Sequence, residues 1–206
     1  MKERIKKAFI KYVLENKDFP SSVFVLLQNT KIKEEAFYEH YSSLESIESE
    51  IWLDFFEETL DKIKKEEVYA EYSVREKMLA FYYTFLEVLK PNRSFVLFSY
   101  SFKSYWDSNP DFLKKLLPSH KEFTEELVME GRESQEIAER IYITDYYPYI
   151  FKIQFLQVLH FWVNDSSENF EKTDVYIEKA VNFAFDFMGN NLLDSGFDYF
   201  KYVFQN

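Results

Sequence analysis

The sequence predicts an all-α protein, and three observations carry that prediction. Apolar residues recur at helical spacing through most of the chain. The 206 residues include only 3 Gly and 5 Pro, which leaves few punctuation points and favours long helices. No segment alternates cleanly between apolar and polar residues, so nothing marks a half-buried strand. At 47% hydrophobic and 20% aromatic, the chain has ample apolar surface to fill a core.

The elements follow in order. Ile5, Ala8, Phe9, Tyr12 and Val13 share one face of a first helix, which "DFPSS" ends. Pro20 and the two serines suit the start of a second, short helix carrying Val23, Phe24, Leu26 and Leu27. "QNT" closes it, and Ile32, Ala36, Phe37, Tyr38 and Tyr41 begin a third. Two short helices joined by a tight turn form a helix-turn-helix pattern, with Phe24, Leu27, Ile32, Phe37 and Tyr41 expected as its core. A longer helix follows from Leu44 to about Glu67, with Ser43 as its cap and Ile47, Ile51, Phe55 and Thr59 on one stripe. Tyr72 to Leu89 is apolar on nearly every side, which places it centrally. "KPN" interrupts, and Ser94 to Trp106 continues as helix.

"DSNPD" marks a capped restart; Pro118 is expected to kink or break the helix that follows, which resumes through Val128. "MEGRESQ" reads as a turn at Gly131, followed by helices over Glu136–Ile143 and Pro148–Val163. A polar loop, a helix over Val175–Met188 and a tail helix over Leu192–Phe204 complete the chain.

Composition excludes several classes. Cys is absent, so there is no disulfide framework and no thiolate metal site, which fits a cytoplasmic protein. His40, His120 and His160 show no metal-binding spacing, so neither a metal nor a cofactor is expected. No nucleophile elbow, phosphate-cradling glycine loop or paired-carboxylate motif occurs; nothing requires an enzyme, and no catalytic residue is nominated. Lys11 and Glu15 break the first apolar run, so no leader is expected, and no run of 18 apolar residues would give stable membrane insertion. A net charge of −11 argues against general coating of nucleic acid. The charge is uneven, however. Residues 1–33 hold eight Lys or Arg against three acids, a basic head on an acidic body.

The stretch "IKEEAFYEHYSSLESI" resembles the end of the helix-turn-helix in the TetR family of one-component regulators. Ile32, Phe37, Tyr38, His40, Tyr41, Ser43, Glu45 and Ile47 fall in step with the family pattern. "EGRESQEI", Glu130 to Ile137, is similar to a loop late in many members' ligand domains. The resemblance implies a three-helix DNA-binding head over residues 1–47 and a helical ligand-binding and dimerisation domain over residues 48–206. It implies a ligand-responsive repressor with a double-stranded DNA operator, a hydrophobic effector and a two-fold homodimer. The sequence departs from the pattern at three places: Lys31 stands where the turn glycine is usual, Lys33 where Ser or Thr caps the reading helix, and Leu44 where a phosphate-meeting Lys is common.

On this reading the DNA-facing residues are Lys31, Lys33, Glu34, Ala36, Tyr38 and His40. Phe37 and Tyr41 are core by spacing, whereas Tyr38 and His40 suit either role. Glu34 and Glu35 favour a helix N-terminus but repel phosphate. An apolar effector pocket would draw on Phe81, Tyr82, Phe85, Phe98, Phe102, Tyr105, Trp106, Phe151 and Phe155, residues that serve equally as ordinary core. On 146–163 and 175–188 polar residues form only a narrow stripe, with Gln154, Gln157 and Asn164 on one helix and Glu178, Lys179, Asn182 and Asp186 on the other. Coverage that wide implies one face for the core and one for a partner copy. The competing reading is a protein of the same fold that no longer reads DNA and binds lipid or a hydrophobic molecule. The lipid-binding ubiquinone-biosynthesis proteins are its pattern, and "WVNDSSENFEKTDVYIEKA" is loosely similar to them.

Overall fold

The computed structural model describes residues 1–100, 107–140 and 143–189. The described residues are helical, with no strand among them, as the apolar spacing predicts. They fall into two compact units. The first is built from Met1–Thr59 and the described residues between Phe85 and Pro118; the second from Leu60–Thr84 and the described residues from Ser119 onward.

In the first unit, α1 (Lys2–Asn16) buries Ile5, Phe9 and Val13 at helical spacing and ends at Lys17, a left-handed residue with φ 53° whose N–H donates to the Val13 carbonyl. Ser22 caps α2 (Val23–Leu27) by accepting from the Val25 N–H at 3.2 Å. Val23, Leu26 and Leu27 turn inward, so Phe24, one position round the helix, is 66% exposed. It is not the core residue the sequence suggests, because in a five-residue helix only the i, i+3, i+4 face reaches the interior. Beneath α3 (Glu34–Tyr38), Phe37 and Tyr41 are buried, as expected. The start of α4 (Glu45–Lys64) is held by Ser43, whose hydroxyl accepts from Ser46 N–H and whose carbonyl accepts from the Ser46 hydroxyl. Ile47, Ile51, Phe55 and Thr59 are all buried, as their stripe predicts. From α6 (Arg93–Ser99), Phe95 meets Phe9 edge-on at 6.4 Å.

The second unit takes in α5 (Val74–Leu89) as far as Thr84, and there Met78, Phe81 and Tyr82 are wholly buried. Pro118 does not break a helix. It lies in the first turn of α7 (Leu116–Glu133), where a missing N–H costs nothing. Gly131 is likewise inside α7 and not at a turn, and the Ile137 side chain lies so close that a Cβ there would come within 2.7 Å of it. The left-handed residue is Gln135, with φ 66°.

Glu136–Arg140 is not helical, because its polar groups are engaged elsewhere. The Glu136 carboxylate accepts from the Val74 and Arg75 N–H groups at 3.0 and 3.3 Å, capping α5. The Ala138 N–H donates to the Met188 carbonyl, and the Arg140 guanidinium to the carbonyls of Met188 and Gly189. Helices α8 (Tyr147–Asn164) and α9 (Glu171–Met188) pack along each other. Gln154 belongs to no solvent stripe: it is buried, accepting from the Tyr82 hydroxyl at 3.0 Å and donating to the Ala180 carbonyl at 2.7 Å. The expected tail helix lies outside the described residues.

Candidate nucleic-acid interface and apolar groove

The turn between α2 and α3 is built without glycine. Lys31 is not among the residues with positive φ, so its backbone carries no left-handed strain. Thr30 makes the turn instead. Its N–H and hydroxyl both donate to the Leu27 carbonyl, at 2.8 and 2.9 Å, and its hydroxyl accepts from the Ile32 N–H at 3.2 Å. This is local side-chain chemistry typical of threonine in turns. Lys33 occupies the position before α3 in extended backbone and supplies no side-chain cap.

The nominated head residues share an exposed surface. Lys31, Lys33, Glu34 and His40 are exposed, Tyr38 is 56% exposed with its ring edge-on to Phe37, and Ala36 is half-buried. Two buried aromatics thus anchor a five-residue helix whose exposed residues are Glu34, Glu35 and Tyr38, with Lys31 and Lys33 in the turn before it and His40 just beyond its end. Such a surface can donate to phosphate and reach base edges, while Glu34, Glu35 and Glu39 lower its potential.

Behind α3 lies an ion cluster that the sequence did not mark. Glu50 accepts from Lys2 at 2.9 Å through Oε1 and from Lys115 at 2.8 Å through Oε2, and the Tyr41 hydroxyl donates to Oε1 at 3.3 Å. Burial pushes the Glu50 carboxyl up, but the Lys115 and Lys2 hydrogen bonds outweigh it and hold it at about 2. Lys6 is paired with Asp54 and Glu3 and is nearly buried. Part of the basic charge of the head is therefore neutralised within the first unit.

The expected effector residues divide between the units. Phe85 and Phe98 belong to the first, Phe98 half-buried against Phe19 at 5.0 Å. Phe81, Tyr82, Phe151 and Phe155 belong to the second and are 0 to 1% exposed. There Phe81 packs on Phe123 at 5.0 Å and on Phe155 at 6.3 Å, and Phe151 on Phe185 at 5.8 Å. Phe102, Tyr105 and Trp106 lie outside the described residues. Also in this unit is His120, wholly buried between the Phe155 and Phe81 rings at 4.7 and 6.0 Å. Burial above all, and then the charge of Lys152, pushes its imidazole down to about 3.

An open groove of about 600 Å³ runs over α8 and α9, lined by Ile150, Ile153, Gln157, Tyr176, Phe183 and Phe187 among others. Phe183 is 73% exposed there. The sequence signal for this surface is the wide apolar coverage of both helices; which residues face outward needed the packing. Among the described residues no group of His, Cys, Asp and Glu is placed to hold a metal, and no helix is long and apolar enough to cross a membrane.

A short helix-turn-helix and a helical unit with an apolar outer face define the class of fold, an all-helical protein with a helix-turn-helix head. Residues 77–203, more than half of the chain, match the family described as "Tetracyclin repressor-like, C-terminal domain", and the chain belongs to that family. Its fold is similar to that of a bacterial regulatory protein in the tetR family from Rhodococcus RHA1, with a TM-score of 0.55 and 14% identity over 91% of this chain and 96% of that one. A comparison with curated proteins gives no match.

Proposed function

We propose that this chain is a ligand-responsive transcriptional repressor. Residues 1–47 would form its DNA-binding head and residues 48–206 its effector-binding and dimerisation domain. The observation that carries the reading is the geometry of α3: Phe37 and Tyr41 are buried while Lys31, Lys33, Tyr38 and His40 are presented to solvent. Family membership supports a regulator in general. The groove over α8 and α9, with Phe183 standing in it, supports pairing with a second copy. A hydrophobic effector would bind the larger domain and alter how well the two heads of the dimer match adjacent major grooves.

The test is selection from fragmented genomic DNA at ~50 mM salt, where phosphate contacts are strong. Wild type should enrich one sequence class, and Lys33→Ala with Tyr38→Ala should abolish the enrichment. Enrichment of nothing by a folded dimer refutes the repressor reading. A second reading would then stand: a protein of the same fold that binds lipid or another hydrophobic molecule. It is favoured by the exposed Glu34, Glu35 and Glu39 and by Phe24 at 66% exposure on the same head.

A further inference from the structure

Lys2 stands beside Tyr41, three residues past the end of α3. Its ammonium lies 5.6 Å from the centroid of the Tyr41 ring, one residue beyond His40, and donates to Glu50 at 2.9 Å. Its side chain is 49% exposed, against 12% for Glu50. Glu50 has partners besides it. The other carboxylate oxygen accepts from Lys115 at 2.8 Å, and Lys6 lies 3.5 Å from the first. Lys6 itself is 8% exposed and fixed by Asp54, so it has no comparable freedom.

We propose that Lys2 is a phosphate-contacting residue that Glu50 holds in reserve. In the free chain its ammonium pairs with Glu50; on DNA it swings to a backbone phosphate while Lys115 and Lys6 keep Glu50 neutralised. The inference rests on reading the head as DNA-binding. Three features support it. A half-exposed ion pair is weak in water and is exchanged at little cost. The lysine stem is long and flexible, and its ammonium bonds equally well to carboxylate and phosphate oxygen. The carboxylate left behind keeps a direct partner, so the exchange strands no buried charge. Glu50 thus lowers general DNA affinity twice over, by its own charge and by competing for Lys2.

Four proteins test this: wild type, Lys2→Gln, Glu50→Gln and the double variant, each titrated with a random-sequence duplex from ~50 to ~200 mM salt. Glu50→Gln should tighten binding about threefold to tenfold, the scale of one phosphate contact, and most of that gain should vanish in the double variant. Lys2→Gln alone should reduce the slope of log affinity against log salt by about 0.9. An equal gain from Glu50→Gln with and without Lys2 overturns the proposal, as does an unchanged slope in Lys2→Gln or a failure of all four to bind. Gln at position 50 keeps one oxygen to accept from Lys115, and its amide nitrogen can donate to the Tyr41 hydroxyl oxygen. If it nevertheless unfolds, the slope of the Lys2→Gln variant, altered only at the exposed start of α1, decides alone. Selection of a genomic sequence by a protein indifferent to Lys2 would sink this inference and leave the repressor reading standing. The expected pattern without sequence selection would do the reverse.

Discussion

His120 makes the second unit sensitive to mild acid. The imidazole is wholly buried against Phe81 and Phe155, and its pKa falls from 6.5 to about 3. The unfolded chain binds a proton near the ordinary value while the folded chain does not, so stability falls as pH drops below about 6.5 and goes on falling towards 3. Each unit in that window costs about 1.4 kcal/mol, which gives a loss of about 2 kcal/mol between pH 7 and pH 5. Burial pushes the Glu48 and Asp54 carboxyls of the first unit up, which acts with the opposite sign there and offsets part of the loss. Glu50, held at about 2 when folded, loses its contribution only once pH falls below the ordinary carboxylate range. His160 is half-buried and shifts downward through burial, adding a smaller effect of the same sign.

The assay is urea unfolding followed by fluorescence at pH 7, 6 and 5, with Trp162 reporting from the same unit. His120→Leu should remove most of the pH dependence and leave stability at pH 7 within about 1.5 kcal/mol, as for other volume-conserving core exchanges. An equal acid loss in His120→Leu and wild type refutes the reasoning, because the proton would then be taken up elsewhere. So does a wild type that is flat from pH 7 to pH 5.

Two phenylalanines, one on α8 and one on α9, should separate folding from assembly. Phe183→Asp, at a position 73% exposed, should leave a folded monomer near 25.1 kDa by light scattering; an undisturbed dimer would remove the groove from the interface. Phe155→Asp, 1% exposed, should instead cost about 4 kcal/mol or more and unfold the chain, and a folded variant would contradict its burial. In the loop before α9, Asp165 accepts from the N–H and hydroxyl groups of both Ser167 and Thr173 at 2.6 to 3.0 Å. Asp165→Ala should therefore cost about 1–3 kcal/mol by thermal melting, and no loss would show that water replaces these bonds freely.

Helical spacing made the elements legible wherever a helix buries one continuous stripe. Ile47, Ile51, Phe55 and Thr59 lie inward as their spacing requires. What spacing could not show depends on partners remote in sequence. Glu136–Arg140 has helix-forming residues, yet Glu136 caps a helix some sixty positions away and Arg140 binds carbonyls almost fifty positions on. Pro118 and Gly131 carry the usual punctuation signal and punctuate nothing, because one sits in a first turn and the other lets Ile137 pack closely. The groove over α8 and α9 was visible only as excess apolar coverage. Its lining follows from which side of each helix the core has already taken: Phe155 and Phe185 inward, Ile153 and Phe183 outward.

The fold of the head and the DNA binding proposed for it rest on separate sets of residues. Its folding rests on Val23, Leu26, Leu27, Ile32, Phe37 and Tyr41, on the Ser22 cap and on the Thr30 turn, none of which needs a particular surface charge. Affinity for DNA would rest on the outer positions, where lysines and glutamates alternate with Tyr38 and His40. Thr30 removes the need for a turn glycine, so the absence of glycine says nothing about DNA binding. The acids are different. Glu34, Glu35 and Glu39 are exposed, and each adds a charge that opposes the backbone phosphates. With Lys6 also drawn onto Asp54, the head would hold DNA loosely unless base contacts contribute a large share of the energy. A repressor built this way should discriminate between sequences more sharply than its total affinity suggests, since the salt-dependent, sequence-independent part of its binding has been cut back.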